Sequence, residues 1–277
     1  MKFAICNETF LDWSLDRAFA FAAECGYTGI EIAPFTLGPS AGEIPSARRS
    51  EVVRLASAAR LDVIGLHWLL AKTQGIHLTS PDATIRRRTA EYLTDLAHLC
   101  RDLGGSLMVL GSPQQRNLAP GVSAADGMRY AADVIRDALA ALEETEIILA
   151  IEPLGPADGN FLLTAAEGRQ LVEMIDSKNV RLHLDCKAMA SEAMPLPELI
   201  RRHRGEFVHF HANDPNRQGP GFGELRFEPI LAALDETGYE GWVSVEVFDY
   251  SPGIERLARQ SIDYLRDCQR RLGTKSV

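Results

Sequence analysis

A (β/α)8 barrel, an α/β fold in one domain with eight parallel strands closed on themselves, is the architecture this sequence predicts. Two observations predict it. Short runs rich in β-branched and aliphatic residues alternate eight times with longer helical patterns, and such alternation implies parallel pairing through right-handed crossovers. Glu152, Asp185, His211 and Glu246 each end one of the later runs, 33, 26 and 35 residues apart. Each interval is about one β/α repeat, so closure would bring four strand ends to one axis.

The strand candidates are residues 3–6, 29–33, 62–68, 106–111, 147–152, 180–185, 207–211 and 242–248. Helical patterns fill the gaps at 15–25, 46–59, 82–103, 124–144, 165–175, 196–204, 228–237 and 254–272. The last carries Ile254, Leu257, Ile262, Leu265 and Leu272 close to the i, i+3, i+4 stripe that packs on a sheet. A chain of 277 residues admits one such barrel or two ordinary domains. No composition shift or Gly/Ser-rich linker divides it, so one barrel domain over 1–277 is expected. Two long strand-to-helix connections, 68–81 and 213–227, fall on the face where barrels of this kind carry out chemistry. The second holds Gly219-Pro220-Gly221-Phe222-Gly223 without a Gly-Lys-Ser/Thr ending, so it is not a P-loop.

Composition narrows the function. The hydrophobic share of 46% and charged share of 24% are those of a soluble globular protein, and no apolar run reaches the ~20 residues of a membrane span. The amino terminus turns polar at Asn7-Glu8, too soon for a secretory signal. Five cysteines, odd in number and without a C-x-x-C pair, suit reduced core thiols. A cytoplasmic location with no membrane partner follows. The net charge of -9 disfavours nucleic acid, whose phosphates need clustered cations, and Arg86-Arg87-Arg88 reads as a solvated helix face.

Alternation supplies the inner layers. Ala150 precedes Glu152 by two residues, His209 precedes His211, Ser244 precedes Glu246, and Gly65 precedes His67. Each polar residue is the last inward member of its strand, where the barrel opens. One strand-end carboxylate could equally cap the next helix. Three around one axis are costly unless a cation neutralises them, so the cluster implies a metal. Three oxygens and one imidazole suit Mn²⁺, Mg²⁺ or Co²⁺. Cys186, beside Asp185, points outward by alternation into the barrel–helix layer. His183 and His209 lie one layer below the four, and Glu8, Glu31 and Arg116 fall near strand ends one, two and four.

Several passages resemble the sugar phosphate isomerase/epimerase group of the xylose isomerase-like TIM barrels. They are Gly65-Leu66-His67-Trp68, Ile151-Glu152-Pro153-Leu154, His183-Leu184-Asp185, His209-Phe210-His211-Ala212-Asn213 with Arg217 and Gly221-Phe222-Gly223, and Val245-Glu246-Val247-Phe248. The resemblance covers almost the whole chain. It implies that Glu152, Asp185, His211 and Glu246 hold a divalent metal, and that Glu152 and Glu246 are also catalytic, moving protons on opposite faces of a substrate carbon through a metal-stabilised enediolate. The substrate would be a small carbohydrate: a sugar, keto-sugar or sugar phosphate. Arg217 corresponds to the arginine such enzymes place over the substrate, and His67 would be a substrate or supporting contact. Barrels of this kind often pair through the loop-bearing face, so a homo-oligomer is admitted.

Two departures mark this chain. The tagatose-type enzymes carry a histidine three residues after the metal aspartate, where Ala188 stands here with Lys187 beside it. The glutamate usual after the first metal glutamate is also missing, with Asp158 the nearest acid. Lys187 could bind a carboxylate or phosphate, serve a leaving group, or snorkel outward. A metal-dependent dehydratase or decarboxylase on the same scaffold is therefore the alternative. An endonuclease would need more metal histidines and a basic face, and a non-catalytic sugar-binding barrel would need no such quartet.

Overall fold

The computed structural model describes residues 1–273. Its strands are β1 (Lys2–Cys6), β2 (Gly29–Ile32), β3 (Asp62–Leu66), β4 (Leu107–Leu110), β5 (Ile148–Ile151), β6 (Val180–Asp185), β7 (Phe207–Ala212) and β8 (Trp242–Val245). They pair in parallel and in chain order, and β1 pairs with β8 to close the barrel. The helices are α1 (Leu15–Cys25), α2 (Ser46–Ala59), α3 (Ala83–Asp102), α4 (Ala124–Glu144), α5 (Ala165–Ile175), α6 (Cys186–Met189), α7 (Leu196–Arg202), α8 (Phe227–Glu236) and α9 (Ile254–Gly273). None of the described helices is long and apolar enough to cross a membrane.

Alternation sorts the strand residues into two layers. Ile5, Ile30, Leu66, Leu110, Ile151, Leu184, Phe210 and Val245 face outward into one continuous core under the helices. Cys186 belongs to that layer, as its parity predicts. Leu107, Val109 and Ala150 form a separate, small apolar cluster with Val208 inside the barrel, and above it the interior becomes polar. Register shifts interrupt the ladder at Ile30/Glu31 and Leu182/His183. Such irregularities re-aim side chains, and both adjoin buried polar residues.

Local signals start the helices where the sequence places them. Asp82 accepts the Thr84 N–H at 2.7 Å before α3, Ser123 accepts that of Asp126 at 3.1 Å before α4, and Thr164 accepts that of Glu167 at 3.2 Å before α5. The predicted stripe of α9 is buried at Leu257, Ile262 and Leu265 and half-buried at Ile254 and Leu272. Three of the five strands that end earlier than predicted stop at Leu66, Ile151 and Val245. The next residue still bonds to its neighbouring strand in each case: His67 N to Ile32 O at 3.1 Å, Glu152 N to Leu110 O at 3.3 Å, and Glu246 N to Ala212 O at 3.4 Å. The short α6 was not expected; Asp185 starts it by accepting the Ala188 N–H at 2.7 Å. All five cysteines are free and buried.

Gly65 shows how tightly the barrel closes. A Cβ there would meet the Leu107 carbonyl oxygen at 2.1 Å, and backbone cannot swing aside as a side chain can. Gly65→Ala is therefore expected to destabilise the fold by about 1–3 kcal/mol, read as a lower urea midpoint. An unchanged midpoint would mean that β3 and β4 separate freely.

Candidate active site

Four strands deliver one polar group each to the open end of the barrel. Glu152 directly follows β5, Asp185 ends β6, His211 lies in β7 and Glu246 directly follows β8. One ligand atom from each lies within 4.8 Å of the others, and all four residues are buried. His211 Nδ1 stands 3.0 Å from Glu246 Oε2 and 3.9 Å from Glu152 Oε1. Neither His211 Nδ1 nor Glu246 Oε2 makes a hydrogen bond. Buried lone pairs left without donors around one point fit a divalent cation, and three oxygens with one nitrogen suit a hard or borderline ion. Gly111 leaves room for this arrangement, because a Cβ there would fall 1.6 Å from Glu152 Oε2.

Residues from the first half of the chain brace the quartet. His67 bridges two carboxylates, with Nε2 2.8 Å from Glu8 Oε2 and Nδ1 3.3 Å from Glu246 Oε1. The Trp68 indole donates to the same Glu246 oxygen at 2.7 Å. Below, Glu31 lies 2.9 Å from His209 Nε2 and 3.2 Å from His211 Nε2; a donor proton on His211 Nε2 would leave Nδ1 free as a ligand. Asn213 donates to Asp185 Oδ2 at 2.6 Å and accepts the Lys187 N–H at 2.8 Å. Arg116, 1% exposed, donates to the carbonyls of Glu152 at 2.6 Å, Leu110 at 3.3 Å and Leu162 at 3.4 Å.

Burial and charge set the protonation of the metal-free site. Burial, reinforced by Glu246 and Asp185, pushes Glu152 up to about 8. Burial also raises Asp185, with Glu246 adding to the shift and Lys187 opposing it. Burial alone would raise Glu246 as well, but His211 and His67 override it and hold that carboxyl well below the usual range. Burial would lower His211, yet Glu246 and Glu31 keep it well above an ordinary imidazole. Without a cation, protons on His211 and Glu152 offset part of the quartet's negative charge.

The quartet opens into a cleft of about 340 Å³ lined by His67, Trp68, Lys72, Gly111, Glu152, Asp158, Lys187, Arg217, Glu246 and Phe248, among others. Every site residue named from the sequence is here: Glu152, Glu246, His67, Lys187 and Arg217 line the cleft, and Asp185 and His211 cluster with its two glutamates. Lys187 points inward and pairs with Asp158 rather than snorkelling outward. The sequence reading gave no role to Trp68, Glu8, Glu31, Asn213 or Arg116. Parity turns Trp68 away from the axis; its left-handed backbone, φ 52°, turns it back. Glu8 and Glu31 carried the signal of strand-end acids, but only closure shows that they face His67 and His211.

Residues 19–268 match the xylose isomerase-like TIM barrel family. The chain is 30% identical over 195 residues to the L-ribulose 3-epimerase of Mesorhizobium japonicum, an alignment spanning 66% of this chain and 62% of that protein. It is 25% identical over 241 residues to the D-psicose 3-epimerase of Ruminiclostridium cellulolyticum, covering 86% and 80% of the two. A crystal structure of D-psicose 3-epimerase with D-tagatose, from Clostridium cellulolyticum H10, matches with a TM-score of 0.85 at 21% identity over 97% of this chain and 99% of that one. At that identity the likeness concerns the fold. The fold, the closing register and the family match agree: the chain belongs to the xylose isomerase-like TIM barrel family.

Proposed function

We propose that the protein is a divalent-metal-dependent isomerase or epimerase of a small sugar, keto-sugar or sugar phosphate, and that Glu152 and Glu246 move the protons. One observation carries the reading: the two glutamates meet Asp185 and His211 within a single cluster and line the same cleft. The sugar epimerases among its relatives support it. Glu152, Asp185, His211 and Glu246 would hold the metal, which when bound supplies Lewis-acid polarisation of a carbonyl and its neighbouring hydroxyl.

The rest of the chemistry belongs to the side chains. Glu152 comes from β5 and Glu246 from β8, so a sugar carbon between them meets a carboxylate on each face. One carboxylate takes the proton from the carbon next to the carbonyl, leaving an enediolate on the substrate. The other returns a proton to the opposite face and inverts that centre. Trp68 and His67 on Glu246 Oε1 fix its orientation, and Arg116 on the Glu152 carbonyl fixes the other strand end. Trp68 and Phe248, 6.1 Å apart, wall the cleft from water. The ammonium of Lys187 on that wall supports a second outcome of the same enediolate, elimination of water, and with a keto acid as substrate the enediolate would instead form by loss of CO₂.

With Mn²⁺ and a panel of ketoses in D₂O, deuterium should enter the carbon next to the carbonyl. No exchange by mass spectrometry across the panel would defeat the proposal. Glu152→Gln and Glu246→Gln should each cut turnover by about 10²–10⁴-fold; a variant that keeps full turnover would remove that glutamate from the reaction. Metal affinity should rise as pH climbs toward 8, because Glu152 and His211 must lose their protons to become ligands. Calorimetry in buffers of different ionisation enthalpy should record proton release on Mn²⁺ binding, and pH-independent affinity would contradict the assigned ligands.

A further inference from the structure

The cleft holds charges that proton transfer between two glutamates does not require. Beyond the quartet and His67, its charged lining residues are three cations, Lys72, Lys187 and Arg217, and one acid, Asp158. Asp158 pairs with Lys187. Among the described residues neither Lys72 nor Arg217 has an ion-pair partner. Lys187 and Arg217 both stand over the Phe248 ring, 5.1 and 5.6 Å from its centroid. Lys72 stands 4.0 Å from the centroid of Phe35, whose ring meets Trp68 at 6.0 Å. One aromatic wall, Phe35–Trp68–Phe248, thus carries three positive groups.

Their placement is built into the backbone. Lys72 and Arg217 have φ values of 60° and 71°, a left-handed conformation that side-chain-bearing residues avoid unless the surroundings impose it. For Arg217 the imposing bonds are visible: its carbonyl accepts the N–H groups of Phe248 at 2.8 Å and Asp249 at 2.9 Å. Lys187 is held from both ends, its backbone N–H on Asn213 and its ammonium on Asp158. The Lys187 side chain is 12% exposed, so its charge faces the cleft rather than bulk water.

We propose that the substrate carries an anionic group, a carboxylate or a phosphate, received by Lys187 and Arg217 with Lys72 at the mouth of the cleft. Lys187 is then a specificity-determining residue. Its ammonium has three donors and gives one to Asp158, leaving two for a ligand, and the Arg217 guanidinium offers a bidentate fork. A neutral sugar would leave Arg217 without an ion pair and Lys187 with Asp158 alone. The inference rests on reading the cleft as a sugar site, but it concerns binding and is testable without turnover.

The test uses Mn²⁺-loaded protein and three six-carbon probes that share a polyol chain: D-glucitol, D-gluconate and D-glucitol 6-phosphate. Dissociation constants come from calorimetry, with intrinsic tryptophan fluorescence as a second signal. At least one anion should bind more than about tenfold tighter than D-glucitol, and the tighter of the two identifies carboxylate or phosphate. Lys187→Gln and Arg217→Gln should each erase most of that preference, whereas Lys187→Arg should keep it, separating a lost charge from a lost fold. Equal or absent binding of all three probes would overturn the proposal. So would a preference that survives both glutamine variants, because the metal centre would then be its source. An anion preference without deuterium exchange would leave this inference standing and remove the proposed reaction; exchange with neutral ketoses and no anion preference would do the reverse.

Discussion

Everything at the open end of this barrel follows from the burial of like charge. Glu8, Glu31, Glu152, Asp185 and Glu246 are all buried, together with His67, His183, His209 and His211. A carboxylate in such a place is tolerable only beside a positive partner or as a neutral acid. The histidines supply that charge by proton or by position: His67 between Glu8 and Glu246, and Glu31 beneath both His209 and His211. The quartet is the part of this network that opens outward, and within it His211 Nδ1 and Glu246 Oε2 make no hydrogen bond. It is the seat proposed for a cation, and the rest of the network keeps its shape.

Strain is concentrated at the same place. Seven of the described non-glycine residues have positive φ, and Trp68, Lys72 and Arg217 among them line the cleft. A left-handed residue with a side chain costs roughly 1–2 kcal/mol, a sum the outer core of aliphatic strand residues under the helices can absorb. Arg116 adds a further expense: burial pushes it down to about 10, and its hydrogen bonds go to carbonyls instead of a carboxylate. Such features persist where surrounding structure over-determines them, and here they surround one cleft.

The fold was legible because period-2 and period-3.6 patterns are local, and eight repeats of them leave little choice of topology. The quartet was legible for a related reason: each member is the last inward residue of its strand, a position that parity alone defines. What escaped the sequence depends on closure or on turns. Glu31 and Glu8 acquire meaning only when β1 and β2 lie beside β8 and β3, and Trp68 enters the cleft only because its backbone is left-handed. The inward orientation of Lys187 was equally invisible, since it is decided by Asp158, 29 positions away in the chain.

The division of labour between the two halves of the chain has a consequence of its own. All four members of the quartet come from β5 to β8, while Glu8, Glu31, His67 and Trp68, which brace it, come from the segments around β1 to β3. Neither half holds the whole arrangement alone: the second would keep the quartet without Glu31, His67 and Trp68, the first these braces without the quartet. The seam where β1 meets β8 therefore joins two incomplete pieces, and any opening of that seam would dismantle the centre before it unfolded either half.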